Sequence, residues 1–239
     1  MACLPCKTRV TPSDASVRPL HRAQATANLT SRSPRQILYP TVKEIRQILV
    51  FLADRFPKDA IKQDHGTIDF LVHSIAYADK DWLARGKFTA TPREVFTQAM
   101  DISAYTYMAM ADRAAPLMKD GGSMIAMSYL GAEKAVPGYN VMGVAKAALE
   151  AATRYLAMEL GSRNIRVNTI SGGPLRTMSA MAVAGFGDIL GWVAEKAPLQ
   201  RNITGAEVGD SAVYLLSDLS SGVTGQILHV DAGFSTIGL

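Results

Sequence analysis

The segment Ser123–Ser171, SMIAMSYLGAEKAVPGYNVMGVAKAALEAATRYLAMELGSRNIRVNTIS, decides the fold. It opens on a short apolar run, SMIAMS (Ser123–Ser128), and closes on another, IRVNTIS (Ile165–Ser171). Between them, Tyr139–Leu160 is a proline-free stretch of good helix formers. Two short buried strands joined through a long helix predict a right-handed crossover and a parallel pair.

The alternation continues on both sides. IDFLVHS (Ile68–Ser74) is a short apolar run of buried-strand type, and a helix is expected from Pro92, a favourable first-turn residue, to about Met118. A further helix is expected near 205–217 and a last strand at QILHVD (Gln226–Asp231). Upstream, a helix is expected from Val42 to Lys62, interrupted near Pro57. Short strands separated by helices place the chain in the α/β class, with a mainly parallel sheet covered on both faces. In such sheets ligands sit beyond the carboxyl ends of the strands. Ser74, Tyr129 and Ser171 stand at those ends and are expected to line one crevice.

Composition limits the alternatives. A chain of 239 residues with 48% apolar side chains can bury a sizeable core. No run approaches the ~20 uninterrupted apolar residues of a membrane helix, so no membrane partner is expected. The net charge of +4 is uneven. Residues 1–40 hold six Lys or Arg against one acid, and the remainder is close to neutral, so basicity gives no support to nucleic-acid binding. Residues 1–40 also lack apolar periodicity and are expected to be a disordered or unrelated basic segment, preceding a domain over 41–239. Their basic, acid-poor composition is that of an organellar transit peptide, an alternative to a cytoplasmic location. Cys3 and Cys6 are the only cysteines, and no second pair or spaced histidine completes a metal site around them. There is no HExxH, Walker loop or GxSxG motif, and no metal is expected.

The chemistry concentrates in SYLGAEKAVPGYNVMGVAK (Ser128–Lys146). Tyr139, Gly143 and Lys146 fall at i, i+4 and i+7 of one helix and share a face. Gly143 removes bulk there, so a flat ligand could lie between phenol and ammonium. An ammonium about 5 Å from the phenol would favour phenolate by roughly two pKa units. That makes Tyr139 a better donor to a developing oxyanion. The plain alternative is a helix start solvated by an ordinary Tyr and Lys. In GGPLRT (Gly172–Thr177) two glycines permit a tight turn and Pro174 fixes φ, which suits either a backbone-lined ligand site or a simple turn. The stretch Met178–Trp192 is apolar, small and glycine-bearing, which suits an amphipathic packing helix. His73 has the position of a structural strand-end residue.

Taken together, LVHSIA (Leu71–Ala76), DIS (Asp101–Ser103), Ser128–Glu150, RVNTISGGPLRT (Arg166–Thr177) and HVDAGF (His229–Phe234) resemble the short-chain dehydrogenase/reductase superfamily. Within it they resemble the bacterial NADH-dependent enoyl-acyl-carrier-protein reductases, over Ile68 to Phe234. The resemblance implies a Rossmann-like doubly wound sheet and NADH as cofactor, with NADPH left open. It implies hydride transfer to a trans-2-enoyl thioester on acyl-carrier protein, in fatty acid biosynthesis. Tyr139 and Tyr129 would steady the enolate and Lys146 would hold the nicotinamide ribose, making these the catalytic candidates. Ile75 and the run Leu175, Arg176, Thr177, Met178 and Ser179 would meet the cofactor, and Ala78 the substrate. Family members are usually cytoplasmic homotetramers, so a homo-oligomer is expected.

Two details favour this subfamily over carbonyl reductases of the same fold. His73-Ser74-Ile75-Ala76 replaces their Asn-Asn-Ala-Gly, and Ala126 stands where they carry a carbonyl-holding serine, although Ser128 is close by. One feature departs from the family. The first 65 residues contain no glycine, so the phosphate-binding turn of a first βαβ unit cannot be drawn, and the sheet is expected to be incomplete at its N-terminal strands. One apolar edge of Ile68–Ser74 is then expected to be exposed. An inactive remnant that only assembles with a complete partner, and a carbonyl reductase, are the alternative readings.

Overall fold

A computed structural model describes residues 58–177, 180–182 and 185–238. Residues 1–40 and most of the helix expected over Val42–Lys62 lie outside these. Among the described residues, α1 runs over Lys58–His65.

Four strands follow: β1 (Phe70–His73), β2 (Gly122–Tyr129), β3 (Ile165–Gly172) and β4 (Ile227–Val230). They form one parallel sheet in the order β1-β2-β3-β4. The helix α4 (Asn140–Leu160) makes the crossover from β2 to β3 that its flanking apolar runs predict. Register is continuous across the sheet, with Val72 beside Ile125, Ile125 beside Asn168, and Tyr129 beside Gly172.

Side-chain alternation divides the core between the two faces. Met124 and Ala126 of β2 and Ile165 and Val167 of β3 pack with Leu149, Ala157 and Leu160 of α4, and with Tyr107, Met110, Ala111 and Ala114 of α3 (Thr106–Ala114). On the other face Ile125 and Ile170 pack under Leu215 of α6 (Gly205–Leu216). A reciprocal capping box between Thr204 and Glu207 fixes where α6 starts. The sheet is therefore doubly wound.

β1 departs from the expectation of a strand buried on both sides. Leu71 and His73 point into the α3/α4 core, whereas Phe70 and Val72 remain 43% and 42% exposed. The reason lies in how far the helix layer reaches: α6 packs over β2, β3 and β4. Among the described residues β1 is the first strand of the sheet order.

The helix expected from Pro92 to Met118 is not uniform. It runs as α2 (Arg93–Met100), a π turn over Asp101–Tyr105, and α3, closing in a 3₁₀ turn at Ala115–Leu117. The wide turn presents Ser103 inward. Its hydroxyl accepts from the Tyr77 N–H at 2.9 Å and donates to the Tyr77 carbonyl at 3.0 Å. One buried hydroxyl thus clamps the loop that follows β1. Insertions of this kind are frequent beside functional sites.

Candidate active site

The site forms where β2 ends and α4 begins. Tyr129 is the last residue of β2, and Tyr139 immediately precedes α4. Their rings meet edge to face, with centroids 5.0 Å apart at 72°. That geometry sets the positive edge of one ring against the π face of the other. Tyr139 packs with Ala78, Leu83, Val141 and Met142, while Tyr129 packs with Leu175, Val193 and Phe234. The tyrosine pair therefore joins two clusters. One holds the predicted substrate residue, Ala78, and the other the predicted cofactor residue, Leu175.

Lys146 lies two turns into α4 and is only 6% exposed. Its Nζ donates to the Met127 carbonyl at 2.7 Å, near the end of β2. Burial holds this ammonium down to about 8, an effect the carboxylate of Glu150 opposes. An ammonium has three hydrogens, and Met127 takes one. The remaining donor capacity is what a pair of ribose hydroxyls requires, so this lysine fits a nucleotide sugar.

Two sequence expectations about this face are corrected. Space at Gly143 is filled by the protein itself: a Cβ there would lie 2.7 Å from the Gly131 carbonyl oxygen. A Cβ on Gly131 would in turn lie 2.3 Å from Cδ1 of Tyr139. The glycines let α4 and the turn after β2 approach closely and seat the Tyr139 ring, leaving no slot for a flat ligand. Nor is the Tyr139 phenol driven toward phenolate. Burial pushes it up, and Tyr129 and the Glu150 carboxylate add to the effect. Burial pushes Tyr129 up as well. Both tyrosines stay protonated donors, as transfer to an oxyanion requires.

The crevice is also narrower than expected. Ser74 is exposed just past β1 and Tyr129 is partly buried, but Ser171 is buried within β3 opposite Ser128. Ile75 packs partly buried against the α3/α4 core. Arg176 and Thr177 are exposed beyond β3, where the Thr177 hydroxyl accepts from the Ala180 N–H at 3.1 Å. Met178 and Ser179 lie outside the described residues. Residues 186–192 of the stretch Met178–Trp192 fall in α5 (Phe186–Lys196), which buries Leu190 and Val193 and sets Trp192 edge-on to Phe234. The HVDAGF turn is held by Asp231, whose carboxylate accepts from the N–H groups of Gly233 and Ser235 at 2.9 and 2.7 Å.

Asn140, Glu150 and Thr106 were not singled out from the sequence. Asn140 begins α4 at φ 41°, a left-handed conformation that asparagine tolerates. Its amide donates to the carbonyls of Trp82 and Ala84 at 2.7 and 2.8 Å, tying the loop beyond Ala78 to Tyr139. Ser128 donates its hydroxyl to Glu150. His73 is fully buried, and burial together with the Lys146 charge holds it down to about 3. Because Thr106 commits its hydroxyl hydrogen to the Ile102 carbonyl at 2.6 Å, it must accept from the His73 Nε2–H at 2.8 Å. Neutral His73 is thus structural. Among the described residues no group of three or more His, Cys, Asp or Glu could hold a metal ion.

Comparison with known proteins gives consistent matches. A family model described as enoyl-(acyl carrier protein) reductase matches residues 57–235. Over 180 residues the chain is 54% identical to enoyl-[acyl-carrier-protein] reductase [NADH] 1 of Rhizobium meliloti, covering 75% of this chain and 66% of that one. Over 179 residues it is 56% identical to the Staphylococcus aureus (strain MRSA252) enoyl-[acyl-carrier-protein] reductase [NADPH], covering 75% and 70%. The crystal structure of the Anaplasma phagocytophilum enoyl-(acyl-carrier-protein) reductase in complex with NAD superposes with a TM-score of 0.75 at 45% identity, over 80% of this chain and 72% of that one. This chain thus spans about two thirds of the length of these relatives.

Lys146 has a consequence for stability. The unfolded chain keeps this proton until about 10.5 and the folded chain until about 8. Between these values the unfolded state binds more protons, so the residue's contribution to stability increases with pH. Urea unfolding at pH 8 and at about pH 9.5 is expected to show wild type gaining stability, on the order of 1 kcal/mol, relative to Lys146→Met. Equal pH dependence in the two proteins would remove the buried, titrating ammonium.

Proposed function

Because the chain belongs to the enoyl-(acyl carrier protein) reductase family, we propose that it reduces the trans-2 double bond of an enoyl thioester carried on acyl-carrier protein, using NADH, in fatty acid biosynthesis. The observation that carries this is the edge-to-face Tyr129–Tyr139 pair at the end of the parallel strand whose Met127 carbonyl is bonded by the buried Lys146. Reduced nicotinamide, when bound, supplies the hydride that adds to the β-carbon. The residues of the chain do the rest. Tyr139 donates its hydroxyl to the thioester oxygen as enolate charge arrives there, and Tyr129 closes the same pocket from the other side. Lys146 holds the ribose hydroxyls and contributes positive charge close to the oxyanion. Ile75 and the backbone of Leu175, Arg176 and Thr177 border the nicotinamide, and Ala78 the acyl chain. Relatives are named for NADH and for NADPH, and NADH is the cofactor proposed here.

A carbonyl substrate is less well supported. Ala126 is buried in the core with no hydroxyl to offer, and Ser128 has spent its own on Glu150. Tyr139→Phe is expected to lower kcat for crotonyl-thioester-dependent NADH oxidation by about 10²-fold or more while leaving the fold intact by circular dichroism. Undiminished turnover in that variant would overturn the assignment.

We also propose a homo-oligomer in the cytoplasm, assembled through an apolar groove between the π turn, α3 and α4. Met100, Ala104, Tyr105, Met108, Ala148 and Ala152 line it, with Tyr105 and Met108 exposed. No helix among the described residues is long and apolar enough to cross a membrane. Sedimentation velocity is expected to show an oligomer for wild type and a lighter species for Met108→Glu. An unchanged sedimentation coefficient would exclude this face.

A further inference from the structure

Glu150 is a buried acid with no part in the chemistry above. It lies one helical turn beyond Lys146 on α4, so the two side chains share a face. The residue is 5% exposed, and the Ser128 hydroxyl donates to its Oε1. Ser128 and Met127 are consecutive at the end of β2. Thus α4 is bound to the last turns of β2 twice over, by Lys146 on the Met127 carbonyl and by Glu150 on the Ser128 hydroxyl. Tyr129, the next residue, inherits that placement.

The charges around this pair run in one direction. Lys146 is faced by Glu150 from its own helix and by neutral His73 from β1. Glu150 is faced by Glu133 from the turn after β2, by His229 from β4 and by Arg154 from the next turn of α4. Glu133 and His229 are themselves paired at 3.0 Å. Glu150 is therefore the buried acid that offsets the burial of the Lys146 ammonium. A buried ammonium without such a partner gives up its proton.

We propose that Glu150 is a positioning residue that keeps Lys146 charged and holds the strand end carrying Tyr129 against α4. The proposal rests on Lys146 being the ribose-holding cation of a reductase, but its test does not require turnover. Lysine labelled at 13Cε reports protonation at Nζ directly, and Lys146→Arg assigns the resonance. In wild type the Lys146 resonance is expected to show its main inflection together with a smaller step at lower pH, as Glu150 takes its proton. In Glu150→Gln, which retains an acceptor for Ser128 but not the charge, the smaller step is lost. The main midpoint then falls by about one unit, a roughly tenfold change in proton affinity. Glu150→Asp restores the charge and is expected to recover most of that fall. A wild-type midpoint in Glu150→Gln, a midpoint in Glu150→Asp as low as in Glu150→Gln, or a single inflection in wild type would each overturn the proposal. Should the labelled lysine behave as proposed in a protein that never oxidises NADH, the reductase assignment fails and the pairing stands.

Discussion

An ammonium buried under the end of a parallel strand is the constraint from which the rest of the site follows. Lys146 reaches from the second turn of α4 to the Met127 carbonyl, and that single bond ties the helix to the strand whose last residue is Tyr129. A buried charge is costly unless it is hydrogen-bonded and matched by a counter-charge. The fold answers with a strand carbonyl on one side and Glu150 on the other. A structure that needed only stability would place a hydrocarbon here. A lysine at this depth suits a task that requires a fixed cation.

Close approach is the second requirement. α4 nears the turn after β2 only because positions 131 and 143 carry no side chain, and the space so gained is occupied by the Tyr139 ring. Asn140 then takes a left-handed conformation and spends both amide hydrogens on the loop over Ala78. Ser103 clamps Tyr77 in the same loop from the π turn. Tyr139 is thus fixed by its ring contacts, its neighbour's side chain and the helix that follows it. Pre-organised donors of this kind need no rearrangement when charge develops on a substrate oxygen.

Much of this was legible in the sequence, for reasons that can be stated locally. The apolar runs at Ser123–Ser128 and Ile165–Ser171 declare strands, and the proline-free stretch between them declares the crossover. The spacing of Tyr139 and Lys146 already assigns both to the first two turns of one helix. What could not be read was mostly long-range. Asn140 bonds carbonyls 58 and 56 positions away, and Ser103 bonds a residue 26 positions away. The Gly143 error has the same origin, since a missing side chain looks alike whether a ligand or Gly131 fills the space. Direction of the tyrosine shifts was missed because a pairwise Coulomb estimate omits desolvation, and here desolvation dominates. The one-sided burial of β1 was not legible either, because the exposure of Phe70 and Val72 depends on how far α6, remote in sequence, reaches across the sheet.

Whether this lysine-centred site takes up a reduced dinucleotide is open to direct measurement. The purified protein can be titrated with NADH while the nicotinamide fluorescence is followed. Saturable enhancement in wild type that disappears in Lys146→Met is the predicted result. A response that never saturates in wild type, or one that Lys146→Met leaves unchanged, would contradict a cofactor site built on the buried ammonium.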